Sequence, residues 1–349
     1  METLFLKLLN MGIAAGWVIL AVMLLRILLR KAPKAVRCAL WILVGIRLVC
    51  PFSIESVLSL IPSQETVPRE IMMAREPEID SGIRALDDAV NPAIAASLSP
   101  EPYASANPMQ IVVFLASRLW AAGLAALLLY ALASYVRLRR KVAAAMLFRE
   151  NIWLCDAVRS PFILGILSPR IYLPSDLEEP QIGCVIAHEK AYLRRRDHWW
   201  KPLGFVLLSV YWFHPLMWLA YILLCRDIEL ACDERSIMGL DDGQRADYSQ
   251  ALLDCSVSRR SIAACPLAFG ETGVKTRVKS VLGYRKPGVW ILALAVAACI
   301  VVAVCFLTDP ARNPGSRTAL AWARGFSATE VEAADLGEEA GVIGAASLL

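Results

Sequence analysis

Four long apolar blocks dominate the hydrophobic pattern of the chain, at residues 8–29, 38–61, 110–136 and 289–307. In the first block no charged residue occurs from Leu8 to Leu25, enough for about 27 Å of helix at 1.5 Å per residue. Apolar runs of this length with few charges are typical of transmembrane helices. The pattern therefore predicts four membrane spans.

The second and third blocks are less regular than the other two. Arg47 and Pro51 lie inside the second block, Glu55 lies near its end, and Arg118 lies inside the third. A charge within the bilayer is costly and usually faces a bundle interior or a partner. We therefore expect Arg47 and Arg118 to snorkel or to pair and hold the helices together, with a role in signalling or transport as the alternative.

Basic residues cluster after the first block, after the third block and before the last one. Because Lys and Arg are enriched on the cytoplasmic side of spans, all three clusters agree if the N-terminus lies outside. This orientation predicts a first transmembrane helix and cytoplasmic turn at 1–37, a second transmembrane helix at 38–62, an extracytoplasmic loop at 63–109, a third transmembrane helix at 110–136, a cytoplasmic domain at 137–288, a fourth transmembrane helix at 289–307 and a short extracytoplasmic tail at 308–349.

Composition agrees with a membrane protein and argues against a disulfide-rich one. Hydrophobic residues make up 57% of the chain and charged residues only 19%, whereas a soluble domain is closer to half apolar and a quarter charged. None of the ten cysteines lies in 63–108 or 308–349, the segments placed outside, and no Cys-x-x-Cys pair occurs. We therefore expect reduced or lipid-buried thiols.

The predicted cytoplasmic segment begins with short apolar runs that Pro and Gly separate, which predicts a small sheet or hairpin at 150–175. A helix is predicted from Pro180 to about Asp197, because apolar residues recur there at helical spacing. Two further apolar runs follow, at 199–213 and 215–225. A fifth span would break the charge agreement, so we interpret these runs as two helices packed on each other or lying against the membrane.

A peptidase-like motif lies in the middle of the first of these helices, with the sequence His188-Glu189-Lys190-Ala191-Tyr192. In a His-Glu-x-x-His motif the two histidines are four residues apart on one helix face and hold one Zn²⁺, while the glutamate activates the metal-bound water. Here Tyr192 replaces the second histidine. Glu229 and Asp233 also lie four residues apart, on one face of a later predicted helix.

Several separated segments together resemble the BlaR/MecR family of integral-membrane zinc metallopeptidases. They are the motif with Arg194-Arg195-Arg196-Asp197-His198 after it, the run from Cys225 to Asp233, the segments Ser160–Gly165 and Ile171–Pro174, and Cys50–Ser56 in the second block. The resemblance covers roughly residues 1–307. It implies a mainly α polytopic membrane protein with four transmembrane helices and a cytoplasmic gluzincin-like α+β metallopeptidase domain.

The resemblance also implies roles for individual residues. His188 and Glu229 would bind one zinc ion, Glu189 would be the general base, and Asp233 would orient a histidine. The segment that begins with Ser160, Pro161 and Phe162 would offer a strand edge to an extended substrate. The substrate would be a cytoplasmic repressor-type protein.

The chain departs from the family pattern in two places. Tyr192 stands where the second zinc histidine is expected, and the tail 308–349 has only 42 residues and no Ser-x-x-Lys motif. In well-known members an external β-lactam sensor domain follows the fourth span, so the sequence gives no support for β-lactam sensing. A truncated sensor domain is an alternative interpretation of the tail.

Four side chains are candidates to complete the zinc site. Tyr192 could ligate as a phenolate, but its reference pKa near 10 and its longer ring both oppose this. His198 would need a helix break after Asp197, because it lies about 15 Å further along a continuous helix than His188. We expect His214 to serve as a cap or interface residue and Cys232 to serve as packing.

The residues leave two functions open, a zinc metallopeptidase that cleaves a cytoplasmic regulator and a catalytically inactive signalling or scaffold protein with the same fold. A transporter is not favoured, because no inverted repeat is visible. The lipid bilayer is one expected partner and a homodimer stays open. Direct nucleic-acid binding is not expected, because the Arg194–Arg196 run suits a solvated or headgroup-facing helix end. We expect a multi-pass protein of the bacterial plasma membrane with both termini outside.

Overall fold

The computed structural model describes residues 1–51, 54–63, 65–74, 77–98, 107–177, 179–257, 273–286 and 288–310. Its helices are α1 (Glu2–Leu28), α2 (Lys34–Val49), α3 (Arg84–Leu98), α4 (Pro108–Lys141), α5 (Glu179–Arg194), α6 (Asp197–Val210), α7 (Pro215–Ile237), α8 (Asp242–Val257), α9 (Val274–Leu282) and α10 (Val289–Leu307), with a 3₁₀ turn at Arg69–Met72. Its strands are β1 (Ile54–Ser56), β2 (Met146–Arg149), β3 (Ile152–Leu154), β4 (Phe162–Leu164), β5 (Arg170–Leu173) and β6 (Thr308–Pro310). The predicted tail after Pro310 lies outside the described residues. The fold is mainly helical, as predicted.

Three helices are long and apolar enough to cross a bilayer, by length and composition alone. They are α1, α4 and α10, with 27, 34 and 19 residues. They coincide with the first, third and fourth apolar blocks of the sequence. These three elements were therefore predicted correctly as helices.

The second apolar block differs from its prediction as a transmembrane helix over 38–62. Helix α2 ends at Val49 after 16 residues, which is about 24 Å of helix and short of the ~30 Å hydrocarbon core. The residue after it, Cys50, is extended. Pro51 explains this end, because a proline disfavours helical geometry in the residue before it. Residues 54–56 then form a strand instead of more helix.

The charge inside α2 has a partner at the far end of α10. Arg47 is buried and forms an ion pair with Asp309, also buried. Strand β1 pairs in parallel with β6, which contains Asp309, and the Ser59 hydroxyl donates to the Thr308 carbonyl. Arg47 therefore pairs within the bundle, one of the two expected arrangements. Arg118 is exposed instead, with its guanidinium 4.8 Å from the centre of the Phe114 ring.

The segment predicted as a polar loop at 63–109 contains ordered structure. Both polar groups of the Asn10 side chain bond the Val67 backbone, at 2.8 and 2.9 Å, which ties the segment to α1. Ile71 of the 3₁₀ turn is buried among the apolar residues of α1 and α4. Helix α3 was not predicted, because Pro92 lies inside it and a proline argues against a helix.

A small four-stranded sheet follows α4, in the order β2-β3-β5-β4. Strands β3 and β5 are parallel, and the other neighbours are antiparallel. The sheet was predicted within 150–175, but β2 was missed. Ile171 and Leu173 on β5 are fully buried and pack against Val185 of α5, so the sheet covers one side of the helix that carries the motif.

The motif helix ends earlier than predicted. Helix α5 stops at Arg194 instead of Asp197, and Arg196 adopts the left-handed conformation with φ of 60°. Asp197 is buried and accepts a hydrogen bond from Arg195 Nε at 2.8 Å. The chain therefore turns at Arg196 and starts α6 in a new direction.

Helices α6 and α7 pack on each other as a hairpin, the first of the two expected arrangements, and the hairpin packs among the apolar helices. At its tip the Tyr211 hydroxyl donates to the Leu48 carbonyl of α2 at 2.8 Å, and Trp120 of α4 donates to the Val210 carbonyl at 2.8 Å. Gly123 permits this approach, because a side-chain carbon there would lie 2.3 Å from the Trp212 ring. The hairpin thus contacts α2 and α4 directly.

A buried carboxylate joins α7 to the first two helices. Asp227 is 1% exposed and accepts from Arg26 Nε at 2.6 Å and from the Trp41 indole at 3.0 Å. Arg37 lies 3.1 Å from its other oxygen. These contacts fix α7 relative to α1 and α2. They therefore also position Glu229 and Asp233, which follow on the same helix.

Candidate functional site

Five helices contribute to the site that the sequence predicted. Helix α5 supplies His188, Glu189 and Tyr192, and α7 supplies Glu229 and Asp233. Helices α6 and α9 each add one charged residue that was not predicted, and α8 adds Tyr248. Every one of these positions lies in the described part of the chain.

His188 lies between the two predicted carboxylates. Its Nδ1 atom is 3.2 Å from Asp233 Oδ1 and 2.9 Å from the Tyr248 hydroxyl, and its Nε2 atom is 3.6 Å from Glu229 Oε2. Burial disfavours the charged ring, but the hydrogen bonds with Asp233 and Glu229 outweigh burial and raise the pKa of His188 to about 9. The structure therefore brings together His188, Glu229 and Asp233.

Arg277 of α9 is the first unpredicted member of the site. Its Nε and Nη2 atoms each donate to Asp233 at 2.8 Å, and its Nη1 atom lies 3.4 Å from Glu229 Oε2. Burial would raise the pKa of Asp233, but the Arg277 charge outweighs burial and lowers that pKa to about 2. In the sequence this arginine is one of the basic residues that precede the last apolar block.

Lys201 of α6 is the second unpredicted member. Its ammonium donates to Glu229 Oε1 at 2.6 Å, and the residue as a whole is only 5% exposed. Burial would raise the pKa of Glu229, but the Lys201 and Arg277 charges hold it well below its usual value. A sequence signal existed, because Lys201 is a cation inside an otherwise apolar run, and a buried cation requires a partner.

Tyr192 contacts this lysine with its ring. The Lys201 ammonium lies 4.9 Å from the ring centre, in the geometry of a cation–π contact. Burial raises the pKa of Tyr192 far above its ordinary value. The phenol is therefore protonated, and its ring packs on the Lys201 ammonium.

The residues present do not fit a zinc centre of the peptidase type. Such a centre uses three protein ligands and one open position. Among the described residues, no group of three or more His, Cys, Asp or Glu side chains is arranged to hold a metal ion. Both Glu229 oxygens face a cation instead, Lys201 on one side and Arg277 on the other. A zinc ion could bind Glu229 only by displacing one of these cations.

The other candidate ligands lie elsewhere. A side-chain carbon at Gly16 of α1 would lie 3.2 Å from His214 Nε2, so His214 is an interface residue, as expected. The Cys232 thiol donates to Asp197 Oδ2 at 3.1 Å. Among the described residues, no hydrogen bond or ion pair joins His198 to His188 or Glu229, although the required helix break is present.

The predicted substrate edge lies next to the site. Strand β4, which begins at Phe162, is the outermost strand of the sheet and pairs with β5 among the described strands. Ser160 is buried just before it, and Pro161 lines a cavity with His188, Glu189, Tyr248 and Arg277. The cavity has a volume of about 20 Å³, which is room for a single water molecule.

Comparison with known proteins places this architecture in a family. The model of the family described as BlaR1 peptidase M56 matches residues 6–281, which include most of α1, the sheet and every residue of the site. The chain belongs to the BlaR1 peptidase M56 family. The M56 match and the three apolar helices together indicate a bacterial membrane protein.

Curated relatives of this M56 protein are distant. The methicillin resistance MecR1 protein of Staphylococcus aureus (strain Mu50 / ATCC 700699) is 23% identical over 163 residues, which are 43% of this chain and 28% of the relative. The MecR1 protein of Staphylococcus epidermidis matches to the same extent. The regulatory protein BlaR1 of Bacillus licheniformis is 27% identical over 135 residues, 37% of this chain and 22% of the relative. The chain therefore covers only about a quarter of the length of these relatives.

Proposed function

We propose that this M56 protein is a membrane signal transducer that keeps the peptidase fold and works without zinc-dependent cleavage. One observation carries the proposal: the carboxylate expected to bind zinc, Glu229, is held by Lys201 at 2.6 Å and by Arg277 at 3.4 Å. Of the two functions that the sequence left open, we therefore favour the catalytically inactive signalling protein over the zinc peptidase that cleaves a cytoplasmic regulator.

The charged side chains of the site form a buried cluster, and their pairing supports a structural role. Two cations, Lys201 and Arg277, face two carboxylates, Glu229 and Asp233, and the pairs join α6, α7 and α9. Buried ion pairs of this kind require both partners, because either one alone is an uncompensated charge in a region of low dielectric. The cluster therefore holds three helices together in the way that a structural metal would.

The dimensions of the site support the same proposal. The cavity beside His188 and Glu189 has a volume of only about 20 Å³, so most of a peptide partner is expected to lie outside it. Binding of a partner would therefore occur on the outer edge of β4, where an extended segment can add as a strand. A cytoplasmic regulatory protein is the partner we propose for this edge.

The route of the signal follows α7. Asp227 on this helix is anchored to Arg26 of α1 and Arg37 of α2, while Glu229 and Asp233, two and six residues later, anchor the cluster. A shift of α1 or α2 would therefore displace the cluster. We propose the orientation indicated by the basic residues, with the N-terminus outside, 137–288 cytoplasmic and the residues after α10 outside.

A zinc peptidase is the second candidate function. It is favoured by the family and by the position of His188, Glu189 and Glu229, which meet in one site as its chemistry requires. The two candidates differ in the role of Glu189, which would be the general base only in a peptidase.

The distinguishing experiment is complementation of a deletion strain, measured on the transcripts that the deletion changes. We expect Glu189→Gln to restore these transcripts to the wild-type level, because binding does not require a general base. Asp227→Asn is the matched control, since it breaks the link from α7 to α1 and α2 and is expected to lose the signal. If Glu189→Gln behaves like the deletion while the protein accumulates normally, the chain is a peptidase.

A further inference from the structure

An open cleft lies between the last turns of α4 and the small sheet, separate from the candidate site. It has a volume of about 440 Å³, within the range of small-ligand sites. Arg139 and Arg140 line it from α4, Trp153 from β3, and Arg170 and Tyr172 from β5. We call this feature the basic cleft.

The charge of the basic cleft is one-sided. Among the residues that line it, three are arginines and none is acidic. Within the described part of the chain, Arg139, Arg140 and Arg170 form no ion pair. Arginine offers a planar fork of donors that matches phosphate oxygens. The cleft therefore presents three available guanidinium groups to an anion.

Aromatic packing fixes one of these arginines in place. The Arg170 guanidinium lies 4.7 Å from the centre of the Trp153 ring, and Tyr172 stacks on Phe162 with ring centres 5.5 Å apart. Arg170 belongs to the sheet and lies 30 residues beyond Arg140 in the chain. The charge bias at the end of a span explains Arg139 and Arg140, but it does not explain why a strand adds a third arginine and a tryptophan to the same cleft.

The position along α4 identifies the ligand class. The apolar block of α4 ends at Val136, which is also the first residue that lines the cleft. The cleft thus opens where α4 leaves the hydrocarbon, on the side we propose to be cytoplasmic. That leaflet carries anionic lipids, and Trp and Tyr are favoured at the headgroup level.

We propose that the basic cleft binds the phosphate headgroup of an anionic phospholipid, with Arg139, Arg140 and Arg170 as its ligands. Binding would fix the sheet against α4. Because β4 of the same sheet borders the His188 site, the lipid would set the position of the edge at which we propose that a partner binds. The headgroup site itself does not depend on whether the chain cleaves peptides.

The test is native mass spectrometry of the full chain in detergent, titrated with phosphatidylglycerol or phosphatidylcholine. The cleft variant is Arg139→Gln/Arg170→Gln. The matched control is Arg137→Gln/Lys141→Gln, which removes two charges from the same helix end without touching the lining of the cleft. Equal melting temperatures of the two variants show that both are folded.

We expect phosphatidylglycerol to bind the cleft variant at least about tenfold more weakly than the control variant, a factor that corresponds to the loss of one charge-assisted pair. Equal weakening in both variants would overturn the proposal, because it is the result of general surface attraction. A further arm adds inorganic phosphate as competitor. Displacement by phosphate together with equal affinity for both lipids would show a free-phosphate site and overturn the lipid assignment.

Discussion

Tyr192→His is expected to raise the zinc content of the purified protein from near background to about one ion per chain. His188 and position 192 are four residues apart on α5, so a second imidazole joins His188 and Glu229 and completes three protein ligands. Lys201 and Glu229 form a buried pair, whose disruption costs about 3–5 kcal/mol, and zinc binding by three protein ligands is expected to exceed this cost. The lysine is therefore expected to leave the carboxylate when zinc binds.

The control for this gain is Tyr192→Phe, which keeps the ring over Lys201 and removes only the hydroxyl. We expect no zinc in this variant, because no ligand has been added. The double variant Tyr192→His/Lys201→Met is expected to bind zinc more tightly than Tyr192→His, since no ammonium competes for Glu229. Equal zinc in Tyr192→His and Tyr192→Phe would show that the histidine position is not what keeps zinc out.

Asp233→Asn is expected to cause the largest loss of stability of any single substitution in the site. Asp233 is 1% exposed, accepts two hydrogen bonds from Arg277 at 2.8 Å and one from the Tyr248 hydroxyl at 3.0 Å. Removing its charge leaves Arg277 buried without its main counter-ion, which costs about 3–5 kcal/mol. For a chain of this size we expect the melting temperature in detergent to fall by about 10 °C.

The matched control is Asp242→Asn at the start of α8. Asp242 also pairs with an arginine, Arg245 at 3.0 Å, but its side chain is 99% exposed. Because exposed pairs contribute little, this variant is expected to melt like the wild type. A similar melting temperature for Asp233→Asn would mean that the cluster does not hold α7 and α9 together.

The fold was predictable where one long apolar segment forms one helix. The blocks that became α1, α4 and α10 are long enough that composition alone defines them. The predicted extent of the helix in the second block was wrong, because the apolar content of the block masked the effect of Pro51 on Cys50. Helix α3 was missed, because Pro92 lies inside it and a proline normally interrupts a helix.

The candidate site was predictable in the same partial way. Helical spacing placed His188 in α5 and put Glu229 and Asp233 on one face of α7, and the structure brings all three together. Lys201 and Arg277 were missed, because their pairing depends on how α6 and α9 pack, which no local pattern encodes. Of these two residues, only Lys201 had a sequence signal, because a cation inside an apolar run requires a buried partner.

The zinc content of the wild-type full-length chain, grown with zinc and measured by elemental analysis, tests the central claim most directly. The claim is that the wild-type site, with Tyr192 at the position of a second histidine and with Glu229 paired to Lys201 and Arg277, does not hold a metal. Zinc near background in the wild type, with about one ion per chain in Tyr192→His, is the result that we predict. One zinc ion per wild-type chain, lost in His188→Ala, would contradict the claim.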